Sequence, residues 1–175
     1  MLYFVRHGRT DNNVNKILTG REDVCLNDEG IKQAHELKEK IKDLDFSLIF
    51  CSPLKRAKQT CQIINEKNIN VVIRDELVER SFGKYENKKY DVIDGDKCWN
   101  YFLDEYKEIE SLKELFGRVY KFLDEIKEEY KEKDILIVAH NDIGRAFYCY
   151  FNGIPLDGDV RNLSLGNASI VSYKF

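Results

Sequence analysis

Only two prolines, Pro53 and Pro155, occur in 175 residues. No Pro-, Ser- or Gly-rich tract divides the chain, and no segment repeats. Residues 1–175 therefore read as one domain, long enough to bury a substantial core. Long apolar runs are also missing. None approaches the ~18 residues of a membrane span. The first run, Leu2 to Val5, stops at Arg6, too short for the core of a signal peptide. The five cysteines (Cys25, Cys51, Cys61, Cys98, Cys149) are odd in number and form no C-x-x-C pair. That spacing argues against a disulfide framework or a thiolate zinc site and favours a reducing, cytoplasmic setting. Excess positive charge is absent as well. Lys+Arg total 28 against 31 Asp+Glu, a net charge of −3. A broad nucleic-acid footprint is thereby excluded, and any anion site must be a local cluster of cations.

What is present alternates. LYFV (Leu2 to Val5), FSLIF (Phe46 to Phe50), NVVIR (Asn70 to Arg74) and ILIVA (Ile135 to Ala139) are short apolar runs of the kind buried strands show. SIVSYKF (Ser169 to Phe175) reads as a last strand at an edge. Between them lie amphipathic helices. Ile31, Ala34, Leu37, Ile41 and Leu44 recur at steps of three and four behind a capping Asn27. Leu54, Ala57, Cys61 and Ile64 follow Ser52-Pro53, which reads as an N-cap with proline at the first helical position. Ser111 and Glu114 form a capping box that opens a long helix through Ile126. Asp142 to Phe151 is helical, with Gly153 closing it. Residues from about 80 to 110, rich in aromatics and charges, interrupt the rhythm as an insertion. The pattern predicts an α/β fold: a three-layer αβα sandwich with a mostly parallel central sheet and a small, mainly helical insertion over the site.

In such sheets ligands bind at the carboxyl ends of the strands. Arg6-His7 follows the first strand and His140 follows the fourth, so two of only three histidines fall on one rim. His35 sits among charges on a helix and reads as solvated. Arg6 and Arg56 offer the forked geometry that suits phosphate or carboxylate oxygens. Gly8 would let backbone N–H groups approach an anion.

These residues carry a resemblance. RHGRTDNN resembles the RHGxTxxN signature of the histidine phosphatase superfamily, the phosphoglycerate mutase-like family. LTGREDVCLNDEGIKQA, CSPLKRAKQT, LVERSFGKYE, ILIVAH and LGNASI are similar to that family's further motifs, in the same order. The resemblance implies that His7 is a nucleophile forming a phosphohistidine and that Glu79 is the proton donor. Arg6, Arg56 and His140 would hold the phosphoryl oxygens, with a hydrogen bond from Asn13. Thr19, Gly20 and Asn141 would meet the substrate. No metal, cofactor, nucleic acid or membrane enters this scheme; the partner is a small phosphomonoester. Two departures stand out: Asn141-Asp142 and Ile109 occupy positions where the family often has glycine. The carboxylate of Asp142 would either reshape anion binding or cap the next helix. The insertion's cations (Arg80, Lys84, Lys88, Lys89, Lys97, Lys107) are diluted by carboxylates and include no adjacent arginine pair. That composition favours hydrolysis over mutase-type transfer. The same residues also leave room for a metal-dependent hydrolase or a non-catalytic phosphate sensor.

Overall fold

The computed structural model describes all 175 residues. Five apolar runs become the strands β1 (Leu2–Arg6), β2 (Leu48–Cys51), β3 (Val71–Ile73), β4 (Ile135–Ala139) and β5 (Ile170–Tyr173). They form one sheet in the order β3-β2-β4-β1-β5. β1 to β4 are mutually parallel, and β5 runs antiparallel at the β1 edge. β2, β3 and β5 are shorter than their apolar runs. Phe46, for example, lies outside the ladder and packs edge-on against Tyr3 at 5.2 Å.

Because successive strand residues point to opposite faces, each strand feeds two cores. Leu2, Phe4, Ile135, Ile137 and Ala139 face α5 (Leu112–Tyr130) and α6 (Asn141–Asn152). Val5, Ile49, Cys51, Leu136 and Val138 face α2 (Asp28–Ile41) and α3 (Lys55–Ile64). β4 lies at the centre, buried at every residue, which is why ILIVA has no polar alternation.

Caps explain most helix starts. Asn27 accepts from Gly30 N–H at 2.9 Å to open α2. Ser111 and Glu114 form the expected reciprocal box at α5. The start of α3 differs from expectation. The helix begins at Lys55, with Leu54 in the cap position and no side-chain bond of its own. Ser52 is not the cap, because its hydroxyl is engaged by His140 at 2.7 Å. The Lys55 N–H is met instead by Asp23, from a distant loop, at 2.6 Å.

The insertion's helices come in single turns: 3-10 turns at Gly83–Tyr85 and Tyr90–Val92, and α4 (Gly95–Cys98), as short as α1 (Asp11–Val14) after the first strand. Leu18, Phe82, Ile93, Cys98 and Ile109 form its own small core. Ile109, in the position where glycine was expected, is there for burial.

Candidate active site

The register of the parallel strands assembles the site. Arg6 pairs with Ala139, so the next residues, His7 and His140, emerge side by side. His7 N–H donates to Ala139 O and Ser52 N–H to Val138 O, both at 3.0 Å. The two imidazoles lie 5.1 Å apart, edge to face.

His7 is held by its backbone neighbours. Its Nδ1 lies 2.6 Å from Gly8 O. A carbonyl can only accept, so Nδ1 carries the proton and Nε2 keeps its lone pair. That Nε2 accepts from Arg56 Nε at 3.2 Å. Burial, then the charges of Arg56 and Arg6, hold the imidazole well below the usual histidine range. Gly8 serves a purpose other than the one read from the sequence. Its N–H is taken by Thr60 Oγ1 at 3.0 Å and is not offered to an anion. The residue is glycine because α2 comes so close: a Cβ on Gly8 would stand 2.4 Å from Gly30 O, and one on Gly30 would stand 2.0 Å from Arg9 O.

His140 is fully buried and lies behind the pocket rather than in its lining. Ser52 Oγ accepts from Leu54 N–H at 3.3 Å and meets His140 Nε2 at 2.7 Å. Donation of the serine proton to Nε2 satisfies both groups and places the ring hydrogen on Nδ1. That nitrogen is buried without a partner, as is Arg6 Nε.

The arginines are fixed by carbonyls. Arg56 donates to Glu22 O and Gly20 O, both at 2.8 Å. Arg6 donates to Leu165 O, and to Asn141 Oδ1 at 3.4 Å. Asn141 Oδ1 also accepts from Ser164 Oγ and Leu165 N–H, so only its amide nitrogen is left for a substrate. Asn13 is similar. Its oxygen serves the Thr10 N–H and Asn167 Nδ2.

Glu79 is the carboxyl in this pocket. Burial, then the nearby charge of Asp142, push it up to about 7, against hydrogen bonds from the Arg80 and Asp142 N–H groups. The other two glutamates of the segment differ. Glu76 pairs with Arg74, and Glu86 accepts from the Arg21 and Phe82 N–H groups. Asp142 does not cap α6, whose cap position is His140. It is buried, accepts from Trp99 Nε1 at 3.1 and 3.2 Å, and pairs with Arg145.

Arg6, His7, Asn13, Thr19, Gly20, Arg56, Glu79 and Asn141 therefore line one cavity of about 420 Å³. Tyr90 and Trp99, which the sequence offers among the insertion's aromatics as either packing or pocket residues, also line it, and so do Arg145 and Arg161, which sequence reasoning missed. That reasoning also gave no role to Asn167, which donates to His7 O at 3.1 Å, although the LGNASI motif contains it. His35 is exposed on α2, in line with its charged neighbours. No group of three His, Cys, Asp or Glu side chains is placed to hold a metal, and no helix is long and apolar enough to cross a membrane.

Comparison with known proteins agrees with this geometry. The family model described as "Histidine phosphatase superfamily (branch 1)" matches residues 2–175. A Bacillus subtilis protein named "Uncharacterized phosphatase PhoE" is 34% identical over 98% of this chain and 86% of its own. The Arabidopsis thaliana phosphoglycerate mutase-like protein 4 is 31% identical over 82% of this chain and 67% of its own. Among solved structures, an Entamoeba histolytica phosphoserine phosphatase in complex with 3-phosphoglyceric acid superposes with a TM-score of 0.84. It is 24% identical and covers 97% of this chain and 87% of its own. Matched along nearly all its length, the chain belongs to the histidine phosphatase superfamily.

Proposed function

We propose that this phosphatase hydrolyses small phosphomonoesters without a metal, through a phosphohistidine on His7. The observation that carries the reading is the state of His7: neutral, pinned at Nδ1 by a carbonyl, and facing its pocket beside two guanidiniums and a protonatable Glu79.

The His7 Nε2 lone pair attacks phosphorus, and the ester P–O bond breaks. The departing oxygen takes the Glu79 proton. Arg56 Nε, freed from His7 Nε2, turns to a phosphoryl oxygen. Arg6 and Asn13 donate to the others and stabilise the charge spread over them, and a shift of the buried His140 toward the pocket brings its Nδ1–H to the same group. Glu79, now a carboxylate, takes a proton from water, whose oxygen attacks phosphorus. Phosphate leaves and His7 is regenerated. Thr19, Gly20 and Asn141 bound the space for the leaving alcohol. Residues 1–175 act as one domain, and the five free cysteines fit a cytoplasmic setting.

The test is release of p-nitrophenol from its phosphate in excess chelator, wild type against His7→Ala. Release that survives chelator and disappears in the variant supports the reading. Loss with chelator, or wild-type turnover in the variant, overturns it. Labelling of His7 without release would point to a mutase, and neither labelling nor release to a phosphate sensor.

A further inference from the structure

The phosphoryl group has its cations in Arg6 and Arg56. The same cavity, which must also take the alcohol portion, is lined by two more guanidiniums, Arg145 and Arg161. Both are already committed. Arg145 donates from Nε to Val160 O at 2.9 Å and from its terminal nitrogens to Arg161 O and the Asp142 carboxylate. Asp142 stands a further 3.9 Å from Arg80, whose other bonds go to the Glu110 and Cys98 carbonyls. Arg161 is held by two carboxylates. Asp159 receives its Nε at 3.0 and 3.1 Å and its Nη2 at 2.6 Å, and Asp96 receives its Nη1.

Arg145, Arg161 and, behind them, Arg80 thus pair with Asp142, Asp159 and Asp96, and within this group the charge balance is zero. A carboxylate or second phosphate on the substrate would reach Arg161 as a third anion around one cation. At Arg145 it would meet a guanidinium saturated by carbonyls and a buried carboxylate. Like charges brought together in this way cost binding steeply. Beside these charges the lining includes the apolar or aromatic Leu18, Phe82, Tyr90 and Trp99 and the uncharged Thr19, Gly20, Asn141 and Ser164, none of them a further cation.

We infer that the alcohol released by this site carries no second anionic group: the substrates are phosphomonoesters of uncharged alcohols, selected against phosphorylated carboxylic acids and bisphosphates. The inference deepens the phosphatase reading and rests on it.

Two matched pairs test it: phenyl phosphate against 4-carboxyphenyl phosphate, and glycerol 3-phosphate against 3-phosphoglycerate. In the wild-type protein kcat/KM is expected to fall about tenfold or more when the carboxylate is added. Equal or higher values for the carboxylated esters overturn the inference while leaving the phosphatase reading intact. No turnover of any ester removes both. A gain-of-function arm is stricter. Asp96→Asn with Asp159→Asn strips both carboxylates from Arg161 and is expected to raise the carboxylated-to-plain kcat/KM ratio about tenfold, mainly through KM. A folded double variant with an unmoved ratio overturns the assignment of Arg161. Should the double variant fail to fold, the wild-type comparison decides alone.

Discussion

Glu79 shows at a single residue what the pocket does to a side chain. Its carboxyl rises from the usual 4.5 to about 7, so the folded state binds a proton that the unfolded chain releases. Stability is therefore present below about pH 4.5 and is lost as pH rises through about 7. Glu79→Gln, neutral at every pH, should be more stable than wild type at pH 8 by roughly 1–3 kcal/mol, with the gap closing near pH 4. Denaturant titrations at the two pH values check this. The same substitution should slow alkyl phosphates about a hundredfold or more and aryl phosphates far less, because aryl leaving groups need little protonation. Equal losses on both would remove the proton-donor role. Asp142 acts on this carboxyl from α6, with Arg145 and Arg80 beside it, Arg6, Arg56 and Tyr90 facing the same pocket and Arg118 on the Glu79 backbone carbonyl. In Asp142→Asn the charge that raises Glu79 is gone and Arg145 loses its partner. The falling alkaline limb of kcat for alkyl phosphates should then move to lower pH. A profile unchanged from wild type would show that Asp142 does not set the donor.

At the scale of elements, the strands and most helices were legible because their signals are local: short apolar runs, a three-four periodicity, a capping box. The position of His7 and His140 at strand ends was legible for the same reason. What could not be read were partners distant in sequence. Ser52 looked like a helix cap, yet its hydroxyl serves His140, 88 residues away. Asp142 looked like a cap and is instead the partner of Trp99 and Arg145. Gly8 looked like a phosphate loop and is a point of backbone contact. Each misreading came from assigning a side chain its commonest local job when a tertiary partner had claimed it. Two predictions belong here. Gly30→Ala places a Cβ against Arg9 O and should push the His7 loop off the α2 N-terminus, costing roughly 2 kcal/mol or more and most of the activity. Thermal melts and p-nitrophenyl phosphate turnover read both. Asp23→Ala removes the carboxylate that receives the Lys55 N–H and should cost about 1 kcal/mol in a denaturant titration, as the loss of an N-cap does.

At the scale of the whole molecule, the insertion is tied to the domain by backbone and side-chain bonds from several segments distant in sequence, among them Leu18, Gly158 and Val160. The Glu110 carboxylate gathers Arg118, Arg21 and the Ser81 N–H. Trp99 reaches across to Asp142 on α6. Nothing in residues 80–110 announced this from sequence, since its turns are short and its aromatics have no helical or strand period. The active site is likewise a property of the whole: His7 comes from the first strand, Glu79 from the base of the insertion and His140 from the fourth.

The strand order has a consequence for how the protein is made. β4 lies between β1 and β2, and its first residue is Ile135. Until that segment has left the ribosome, β1 and β2 have no strand to join them, and His7 has no carbonyl of Ala139 to settle against. The sheet and the proposed nucleophile must then mature together, late in synthesis, through contacts such as Leu2–Ile135 and Leu48–Ile135 that join distant parts of the chain. Such closure is slow. A nascent chain stalled before β4 would expose the apolar edges of β1 and β2 and should depend on chaperones, while release of the final segment, from β4 onward, would bring structure and activity in one step.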